Sequence, residues 1–335
     1  MKAVLLVGGE GTRLRPLTYT SPKALVPIGN VPFLERQLTW LAGHGVDEVV
    51  LSMGYLPEPF REHFPDGRFG DVRLRYAVET VPLGTAGGIR FAAEGIDERF
   101  VVCNGDVLTT LDLTRMVEFH EARDAEASIY LCEVDDPSAF GVVPTRDDGE
   151  VVGFIEKPPR DQAPTNRINA GVYVLEPSVL DRIPPRINVS IERETFPRMV
   201  ESRKALYAFH WPGYWLDIGT PEKYLQANLD VVAGRLPGAE DCIDGSATVA
   251  GSLVDSVVGA HVVIDEGAIV ENSVVMDGAR IESGARVVGS VVGPGAIVGA
   301  NASILDLAMI GAGVEVAAGT QVVAAKLAPT GFGDA

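Results

Sequence analysis

The sequence predicts an α/β domain followed by a parallel β-helix, because two hydrophobic periodicities divide its 335 residues. Residues 1–232 alternate short aliphatic runs, typical of buried strands, with stretches of helical periodicity. Residues 241–335 instead carry an aliphatic residue at nearly every sixth position. The segment GRLPG at 234–238 separates the two patterns, so we predict a linker over residues 233–240.

In the first region, the order of elements predicts a mixed, mainly parallel sheet. Four aliphatic runs indicate buried strands, at residues 4–7, 46–51, 100–103 and 128–132. Leu34, Leu38 and Leu41 follow helical spacing. Asn30 is a candidate N-cap for this helix, and Gly43 is a candidate end. Strand–helix alternation of this kind is typical of α/β domains, whose ligands lie beyond the carboxyl ends of the strands.

The six-residue repeat of the second region is typical of a β-helix, in which each hexapeptide forms one flat side and its aliphatic residue points inward. Two steps of the repeat are five residues long. The repeating positions are Val258, Ile264, Val270, Met276, Ile281, Val287, Val292, Val298, Ile304, Ile310, Val316 and Val322. Stacked coils have open ends and flat sides, which favour self-association. We therefore expect a homo-oligomer formed through the β-helix.

A glycine-rich loop after the first strand is the strongest functional signal. Residues 8–16 read GGEGTRLRP, and Ser-Pro-Lys, ending at Lys23, follows shortly after. Glycines let backbone N–H groups approach an anion, and Arg13, Arg15 and Lys23 can add positive charge. The loop therefore predicts a polyphosphate site. The dinucleotide fingerprint is excluded because residue 14 is leucine, and the P-loop because no Gly-Lys-Ser/Thr follows.

Composition narrows the functional class further. The formal charge of −18 at pH 7 argues against a general nucleic-acid or membrane surface, so a polyphosphate needs a local basic cluster together with a metal. Cys103, Cys132 and Cys242 are too scattered for a zinc site or a disulfide framework. The aliphatic run at 4–7 is too short for a signal peptide or a membrane span. A cytoplasmic protein is therefore expected.

Two aspartates are candidate metal ligands. Asp106 follows a strand in the sequence Asn-Gly-Asp, and Asp217 lies in WLDIG. Mg²⁺ prefers oxygen ligands and is usually held by one or two carboxylates plus substrate phosphates. The two residues are far apart in the chain, so spacing alone does not show that they meet. Each of them is also consistent with a simple turn-forming aspartate.

The run G-G-x-G-T-R-L-x-P-L-T, with Pro-Lys following, resembles the signature of the sugar-nucleotide pyrophosphorylases, which join an NTP to a sugar 1-phosphate. The resemblance covers nearly the whole chain and is strongest to mannose-1-phosphate guanylyltransferases. The segments that carry this finer likeness are LVGG at 6–9, INAGVY at 168–173, SIERE at 190–194, FP at 196–197 and WLDIGTP at 215–221. The resemblance implies a Rossmann-like nucleotidyltransferase domain over residues 1–232 and a left-handed β-helix over 241–335.

The resemblance also implies roles for individual residues. Catalytic roles fall on Arg13, Lys23, Asp106 and Lys157, while Asp106 and Asp217 hold Mg²⁺. The implied nucleotide-binding residues are Val7, Gly8, Gly9, Gly11, Thr12, Arg13, Lys23, Pro82, Gly84, Thr85 and Gly105. The implied sugar-phosphate-binding residues are Gly141, Glu156, Lys157, Asn169 and Gly171. Phe140 departs from the family pattern, which has tyrosine before that glycine.

The implied reaction makes an NDP-sugar and pyrophosphate, with GDP-mannose from GTP and mannose 1-phosphate as the expected case. The same reaction with dTTP or UTP and glucose 1-phosphate, or with GTP and a sugar-like cyclitol phosphate, stays open. A non-catalytic subunit that senses sugar nucleotides is another alternative, although such a protein should lack the charges that the glycine loop retains. Acyltransferase activity in the β-helix would need a histidine base, and His261 is the one histidine in residues 241–335.

Overall fold

The computed structural model describes residues 1–54, 57–202 and 205–332. Contacts between residues group the chain into two compact units. The first unit comprises Met1–Gly9 and Gln37–Trp215, and the second comprises Glu10–Arg36 and Leu216–Ala335. The sequential boundary at 233–240 stays a prediction, because the units follow contacts rather than chain order. Over the described ranges, every helix falls short of the length and apolar character that a bilayer-crossing segment requires.

Helices and strands alternate through most of the region before residue 248. The α-helices described there are α1 Phe33–Gly43, α2 Glu58–His63, α3 Gly84–Ala92, α4 Leu113–Ala122, α5 Phe196–Glu201 and α6 Pro221–Val232. The strands described there are β1 Lys2–Leu6, β2 Pro27–Ile28, β3 Val31–Pro32, β4 Glu48–Met53, β5 Arg68–Phe69, β6 Val72–Val78, β7 Phe100–Asn104, β8 Val107–Thr109, β9 Ala127–Glu133, β10 Gly141–Val142, β11 Ile155–Glu156, β12 Arg167–Leu175, β13 Leu206–His210 and β14 Trp215–Asp217.

The first unit contains one mixed sheet, as predicted. Its strand order is β11-β10-β12-β7-β1-β4-β6-β5, and β9 pairs with both β12 and β13. Strands β7, β1, β4 and β6 are parallel to their neighbours in this central run, whereas β12 is antiparallel to β7. Leu6 of β1 is in register with Asn104 of β7, so these two strands end side by side. The chain after β1 and the chain after β7 therefore leave the sheet at the same edge.

Strand β1 is buried on both faces. Ala3, Val4 and Leu5 are each 0% exposed, although successive side chains of a strand point to opposite faces. Such continuous aliphatic runs are required where a parallel sheet is covered on both sides. The aliphatic run that predicted this strand therefore also identifies it as a central one.

The predicted N-cap role of Asn30 is wrong. Asn30 has φ +62° and lies with Gly29, at φ +55°, in the two-residue turn between β2 and β3. A two-residue hairpin turn of the favoured type needs positive φ at both central positions, which glycine and asparagine tolerate best. Helix α1 begins at Phe33, directly after β3. The local signal for a turn therefore prevailed over the signal for a cap.

From residue 248 onward, the described chain forms short strands in three parallel sheets. The strands are β15 Thr248–Val249, β16 Ser252–Val254, β17 Val257–Val258, β18 Val263–Ile264, β19 Ile269–Glu271, β20 Val274–Val275, β21 Arg280–Ile281, β22 Arg286–Val288, β23 Val291–Val292, β24 Ile297–Val298, β25 Ser303–Leu305, β26 Met309–Ile310, β27 Glu315–Val316, β28 Gln321–Val323 and β29 Lys326–Leu327. The sheet orders are β15-β18-β21-β24-β27, β16-β19-β22-β25-β28 and β17-β20-β23-β26-β29. This is the three-sided arrangement of the expected left-handed β-helix.

The inward column of the β-helix follows the predicted repeat except at one position. Val275, rather than Met276, joins the buried apolar core together with Val270 and Ile281. The five-residue step therefore falls before Val275 and not after it. It lies at a tight corner, where two residues separate β19 from β20 and the second of them is the buried Ser273. The six-residue period alone did not locate this corner.

Candidate active site

Gly8 and Gly9, which follow β1 after Val7, have different surroundings. The backbone N–H of Val7 donates to Ser52 O at 2.9 Å, which keeps the chain beside β4 as it leaves the sheet. A methyl group at Gly8 would lie 3.0 Å from the backbone nitrogen of Gly54. A methyl group at Gly9 would meet nothing within 4 Å. Gly8 is therefore needed for a close approach of two backbone segments, whereas Gly9 borders open space.

Asp106 lies just beyond the end of β7, beside the end of β1. The N–H of Gly105 donates to Leu6 O at 2.9 Å. A methyl group at Gly105 would lie 2.5 Å from the same oxygen and 2.8 Å from Cγ1 of Val7. Because position 105 is glycine, the predicted metal ligand and the start of the glycine loop leave the sheet next to each other. Both segments therefore emerge from neighbouring parallel strands.

In the second unit, Gly11 and Lys23 pack together. Gly11 has φ +63°, and a methyl group there would lie 3.0 Å from both Cβ of Lys23 and Cγ2 of Thr18. The hydroxyl of Thr18 donates to Gly11 O at 2.8 Å. Residues 12–14 and 23–25 each form a short 3₁₀ turn. The backbone conformation of Gly11 and the hydroxyl of Thr18 thus bring the two predicted cationic segments side by side.

Asp217 lies near two basic side chains of the second unit. Its Oδ1 accepts a hydrogen bond from the N–H of Gly219 at 2.8 Å, and its Oδ2 lies 3.7 Å from Nζ of Lys223. A methyl group at Gly219 would lie 2.7 Å from Nη2 of Arg13 and 2.9 Å from Oδ1 of Asp217. Glycine at 219 therefore gives the Arg13 guanidinium access to this carboxylate. Sequence reasoning missed Lys223, which α6 places one turn after its N-cap, Thr220.

Predicted sugar-phosphate residues line a cavity of about 290 Å³ in the first unit. Its lining residues are Ala139, Phe140, Gly141, Glu156, Lys157, Asn169, Ser190, Glu192 and Arg193. Four of the five predicted residues are among them, and Gly171 is the exception. Gly141 is in register with Glu156 across β10 and β11, and a methyl group at Gly141 would lie 2.6 Å from the ring of Phe154. The hairpin therefore presents the Glu156 side chain and leaves space beside it.

Two cationic side chains lie beside Glu156. Its Oε1 lies 3.2 Å from Nη2 of Arg193 and 3.9 Å from Nζ of Lys157. Lys157 has φ +48°, and its N–H donates to Phe140 O at 2.9 Å. The cavity therefore combines two carboxylates, Glu156 and Glu192, with two cations, which suits a ligand that carries both hydroxyl groups and a phosphate. Sequence reasoning assigned no role to Arg193.

A bulge in β12 orients Asn169. The pairing of β12 with β9 shifts register between Asn169 and Tyr173, and Gly171 in this stretch has φ +74°. Nδ2 of Asn169 donates to the hydroxyl of Tyr173 at 2.9 Å, and that hydroxyl donates to Oε1 of Glu192 at 3.4 Å. Burial raises the pKa of Tyr173, which keeps its hydroxyl protonated as a donor. Bulges of this kind re-aim a side chain, here Asn169, toward the cavity.

Thr85 and Glu192 link the predicted nucleobase segment to the cavity wall. Helix α3 begins at Gly84, whose φ is +69° and where a methyl group would lie 2.6 Å from Val189 O. The hydroxyl of Thr85 donates to Oε2 of Glu192 at 2.8 Å and accepts from the N–H of Ile191 at 2.8 Å. Glu192 thus joins residues from three segments. In the sequence, the family likeness of residues 190–194 was the one feature that pointed to Glu192, because the partners of Glu192 are distant in the chain.

The predicted site residues are divided between the two compact units. The first unit holds Val7, Gly8, Gly9, Pro82, Gly84, Thr85, Gly105, Asp106, Gly141, Glu156, Lys157, Asn169 and Gly171. The second unit holds Gly11, Thr12, Arg13, Lys23 and Asp217. Within each unit the residues gather as described. Their roles toward nucleotide, sugar and metal stay predictions.

Comparison with known proteins matches the chain to two family models. The model described as "Nucleotidyl transferase" covers residues 2–234, and the model described as "GMPPB C-terminal domain" covers residues 240–331. Among curated relatives, the mannose-1-phosphate guanylyltransferase of Mycobacterium tuberculosis is 40% identical over 277 residues, which are 79% of this chain and 77% of the relative. Mannose-1-phosphate guanylyltransferase 1 of Arabidopsis thaliana is 41% identical over 286 residues, 80% and 78% of the two chains.

Solved structures share the fold of about two thirds of the chain. The crystal structure of HddC from Yersinia pseudotuberculosis aligns with a TM-score of 0.59 at 31% identity, over 68% of this chain and 97% of that chain. HddC complexed with GMP-PN aligns with a TM-score of 0.58 at 31% identity, over the same shares. A putative glucose-1-phosphate thymidylyltransferase from Bacillus anthracis aligns with a TM-score of 0.62 at 25% identity, over 68% and 94%.

Proposed function

Because the chain belongs to the nucleotidyl transferase family, we propose that it joins GTP to mannose 1-phosphate, forming GDP-mannose and releasing pyrophosphate. The observation that carries the proposal is the cavity of the first unit, which Glu156, Lys157 and Asn169 line together with Arg193. A carboxylate and an amide suit sugar hydroxyls, and two cations suit a phosphate. The curated relatives that match more than three quarters of the chain support guanosine and mannose as the specific pair.

In this reaction the protein contributes mainly by positioning the two substrates and by stabilising their negative charge. A phosphate oxygen of the sugar phosphate attacks the α-phosphorus of the NTP in line, and pyrophosphate leaves from the opposite side. The nucleophile is already an anion, so no general base is required, and rate enhancement comes from alignment and charge stabilisation. Arg13 and Lys23 neutralise the triphosphate and the departing pyrophosphate. Lys157 holds the attacking phosphate, and Glu156 accepts hydrogen bonds from the sugar hydroxyls.

The donor set of this chain fits Mg²⁺. Over the described residues, no group of three or more His, Cys, Asp or Glu side chains forms a metal site. Mg²⁺ in nucleotide enzymes usually takes one or two carboxylates, with phosphates and water as the other ligands. The N–H of Gly219 orients Asp217 through Oδ1, while Oδ2 is 3.7 Å from Lys223. Asp106 and Asp217 would hold the ion, which supplies positive charge to the reacting phosphates.

The same reaction on another substrate pair is the second candidate, since the Bacillus anthracis protein is named a putative glucose-1-phosphate thymidylyltransferase. A sensing, non-catalytic role is disfavoured because the cationic residues of the glycine loop are retained. Homo-oligomer formation through the β-helix and a cytoplasmic location stay predictions.

A matrix of nucleotides against sugar phosphates tests the proposal. Pyrophosphate release is measured with GTP, dTTP or UTP, each paired with mannose 1-phosphate, glucose 1-phosphate or a cyclitol phosphate, in the presence of Mg²⁺. We expect the highest kcat/KM for GTP with mannose 1-phosphate. A higher value for another pair would replace the substrate assignment. Absence of release with every pair would overturn the enzymatic proposal.

Substitutions in the same assay test the residue roles. Asp106→Ala, Arg13→Ala and Lys23→Ala should each lower kcat by about 10²- to 10³-fold, because each removes charge from the reacting phosphates. Their thermal unfolding midpoints should stay near that of the wild type. Arg146→Ala is the matched control, since Arg146 forms an exposed ion pair with Glu150. Near wild-type turnover of Asp106→Ala would contradict the metal assignment.

A further inference from the structure

One side of the β-helix, formed by β17, β20, β23, β26 and β29, is covered by other parts of its own unit. Its outward-facing residues form a column in register, running Val257, Val274, Val291, Met309 and Lys326. The first four are at most 2% exposed, although they alternate with the inward residues. Outward residues at comparable positions on the other sides, such as Arg280, Arg286 and Glu315, are exposed.

The cover includes the segment Glu10–Arg36, which carries Gly11, Arg13 and Lys23. A cavity of about 150 Å³ is lined by Leu17 and Val26 of this segment and by Val257 and Val274 of the β-helix. Nδ2 of Asn30 donates to Val258 O and to Asp241 O, each at 2.8 Å. The segment that carries the predicted triphosphate cations is therefore packed on the β-helix within one compact unit.

Lys326 is the one cation in the outward column and contacts the glycine loop. Its Nζ donates to Arg13 O at 3.0 Å. Arg13 and Lys326 also line a common cavity of about 450 Å³ together with Glu222 and Leu307. A hydrogen bond from a charged donor is stronger than a neutral one, so this contact favours a single orientation of the Arg13 carbonyl.

A second contact reaches the same segment from the next residues of the chain. The ring of Phe332 stacks on that of Tyr19 with centroids 4.7 Å apart. The guanidinium of Arg15 lies 4.9 Å from the centroid of the Tyr19 ring. Aromatic stacking and cation–π contacts of this kind hold ring and guanidinium in defined relative positions. Lys326 and Phe332 thus contact the segment Glu10–Arg36 at Arg13 and at Tyr19, on either side of Arg15 in the sequence.

The repeat of the β-helix is irregular near Lys326. On the side formed by β17, β20, β23, β26 and β29, paired residues are 17 positions apart in the earlier coils, but Val291 pairs with Met309, 18 residues later. The extra residue lies in the corner between β25 and β26, where Asp306 and Leu307 have φ +54° and +64°. Both residues line the cavity that contains Arg13 and Lys326. The departure from the repeat therefore occurs where the β-helix meets the loop.

We propose that Lys326 is a positioning residue for the nucleotide, acting through the backbone of Arg13. The proposal rests on the function proposed above, in which Arg13 binds the triphosphate. The bond from Lys326 fixes the 3₁₀ turn at residues 12–14 and so directs the Arg13 guanidinium. The stacked coils form a rigid support, and a charged group held by a rigid element loses less entropy when its ligand binds. In this proposal the β-helix is part of the nucleotide-binding apparatus.

Replacement of Lys326 tests this role. Lys326→Met introduces the residue that stands one coil earlier in the column, so the β-helix should fold unchanged. We expect kcat/KM for GTP to fall about tenfold, the scale of one charge-assisted hydrogen bond, while KM for mannose 1-phosphate at saturating GTP is unchanged. Lys326→Arg should restore most of the loss, because arginine keeps the charge and the donors. Arg286→Met removes an exposed cation of another side and serves as the control.

A double-mutant cycle with Arg13→Ala shows whether Lys326 acts through Arg13. In the Arg13→Ala background, Lys326→Met should have no further effect on kcat/KM for GTP, whereas additive losses would overturn the proposal. Isothermal titration with GTP alone repeats the comparison without turnover, and we expect weaker binding by Lys326→Met. Equal GTP affinity of this variant and the wild type would also overturn it. A wild-type protein that binds GTP but releases no pyrophosphate would instead overturn the proposed reaction.

Discussion

Glycines in and beside the loop serve different physical purposes, although the sequence presents them as one pattern. Gly8 and Gly105 allow backbone segments to pass close to each other, Gly11 adopts a positive φ, and Gly9 borders open space. A reading based on motif alone assigns all of them to ligand approach. These cases are distinguished by the neighbouring atoms, which belong to other segments of the chain.

Gly105→Ala should destabilise the fold, because its methyl group would lie 2.5 Å from Leu6 O, a backbone atom of β1. Overpacking of this kind costs about 1–3 kcal/mol in the free energy of unfolding. Gly9→Ala is the matched control, since a methyl group there meets nothing within 4 Å. Urea denaturation of the two variants and the wild type measures the difference. Equal stability of the Gly105 and Gly9 variants would contradict the assigned crowding.

A ladder of buried serine side chains stabilises one corner of the β-helix, directly before β17, β20 and β23. Ser256, Ser273 and Ser290 are at most 4% exposed and lie 17 residues apart. The N–H of Ser273 donates to Oγ of Ser256 at 3.0 Å, and the N–H of Ser290 donates to Oγ of Ser273 at 3.1 Å. The hydroxyl of Ser273 in turn donates to Glu271 O at 2.7 Å. The ladder satisfies backbone groups that the corner would otherwise leave buried without partners.

Ser273→Ala should lower the thermal unfolding midpoint of the β-helix. The substitution leaves the buried N–H of Ser290 without its acceptor, which costs about 1–3 kcal/mol. Ser283→Ala, at an exposed position of another corner, is the control. Circular dichroism during heating compares the two variants with the wild type. The ladder would have no energetic role if both variants unfolded at the wild-type temperature.

The stability of the entire fold should depend on pH through buried histidine. His120 of α4 is 1% exposed, with Nδ1 2.9 Å from Oγ of Ser128 and Nε2 3.2 Å from Oε1 of Glu176. Burial lowers the pKa of His120 and outweighs the opposing effect of Glu176, while Arg99 lowers it further. The unfolded chain, in which the histidine pKa is close to its ordinary value of about 6.5, then binds a proton more readily than the folded chain does.

Acidification below about pH 6.5 should therefore reduce the free energy of unfolding, because protonation of His120 favours the unfolded chain. The stabilisation is present above the unfolded pKa and is lost as the pH falls through the lowered folded pKa. Unfolding midpoints in urea between pH 5 and 7.5 measure the slope. His120→Gln should flatten it, whereas His63→Gln, at an exposed histidine, should not. An identical slope in His120→Gln and the wild type would contradict the assignment.

The division into compact units is a feature of the complete chain that the order of residues conceals. Periodicity divides the sequence at 233–240, but Glu10–Arg36 groups with Leu216–Ala335 by contact. A loop near the amino terminus is thereby joined to coils that lie about three hundred residues later, as in the bond from Lys326 to Arg13. Linear patterns record repeats and local turns, but they do not record which distant segments pack together.

The positions of the candidate site residues were predictable where these residues belong to a motif or to a strand end. Local patterns and the family likeness pointed to the glycine loop, to Asp106 and to the four predicted sugar-phosphate residues that line one cavity. Glu192, Arg193, Lys223 and Lys326 were not predicted, because their partners are not their neighbours in sequence. Asn30 and Met276 were misplaced because a hairpin turn and a shortened corner are determined by how strands pair.

The hydrophobic period was sufficient to predict two architectures, and the motif of the glycine loop was sufficient to predict a polyphosphate site and to show the family likeness, since each depends on side chains close together in the chain. The assembly of Glu156 with Arg193, of Thr85 with Glu192, and of Arg13 with Lys326 required the folded chain. The paired residues are 37, 107 and 313 positions apart in the chain, respectively. Hydrogen bonds and ion pairs form only at distances of a few ångströms, so the packing of distant segments determines whether these contacts exist.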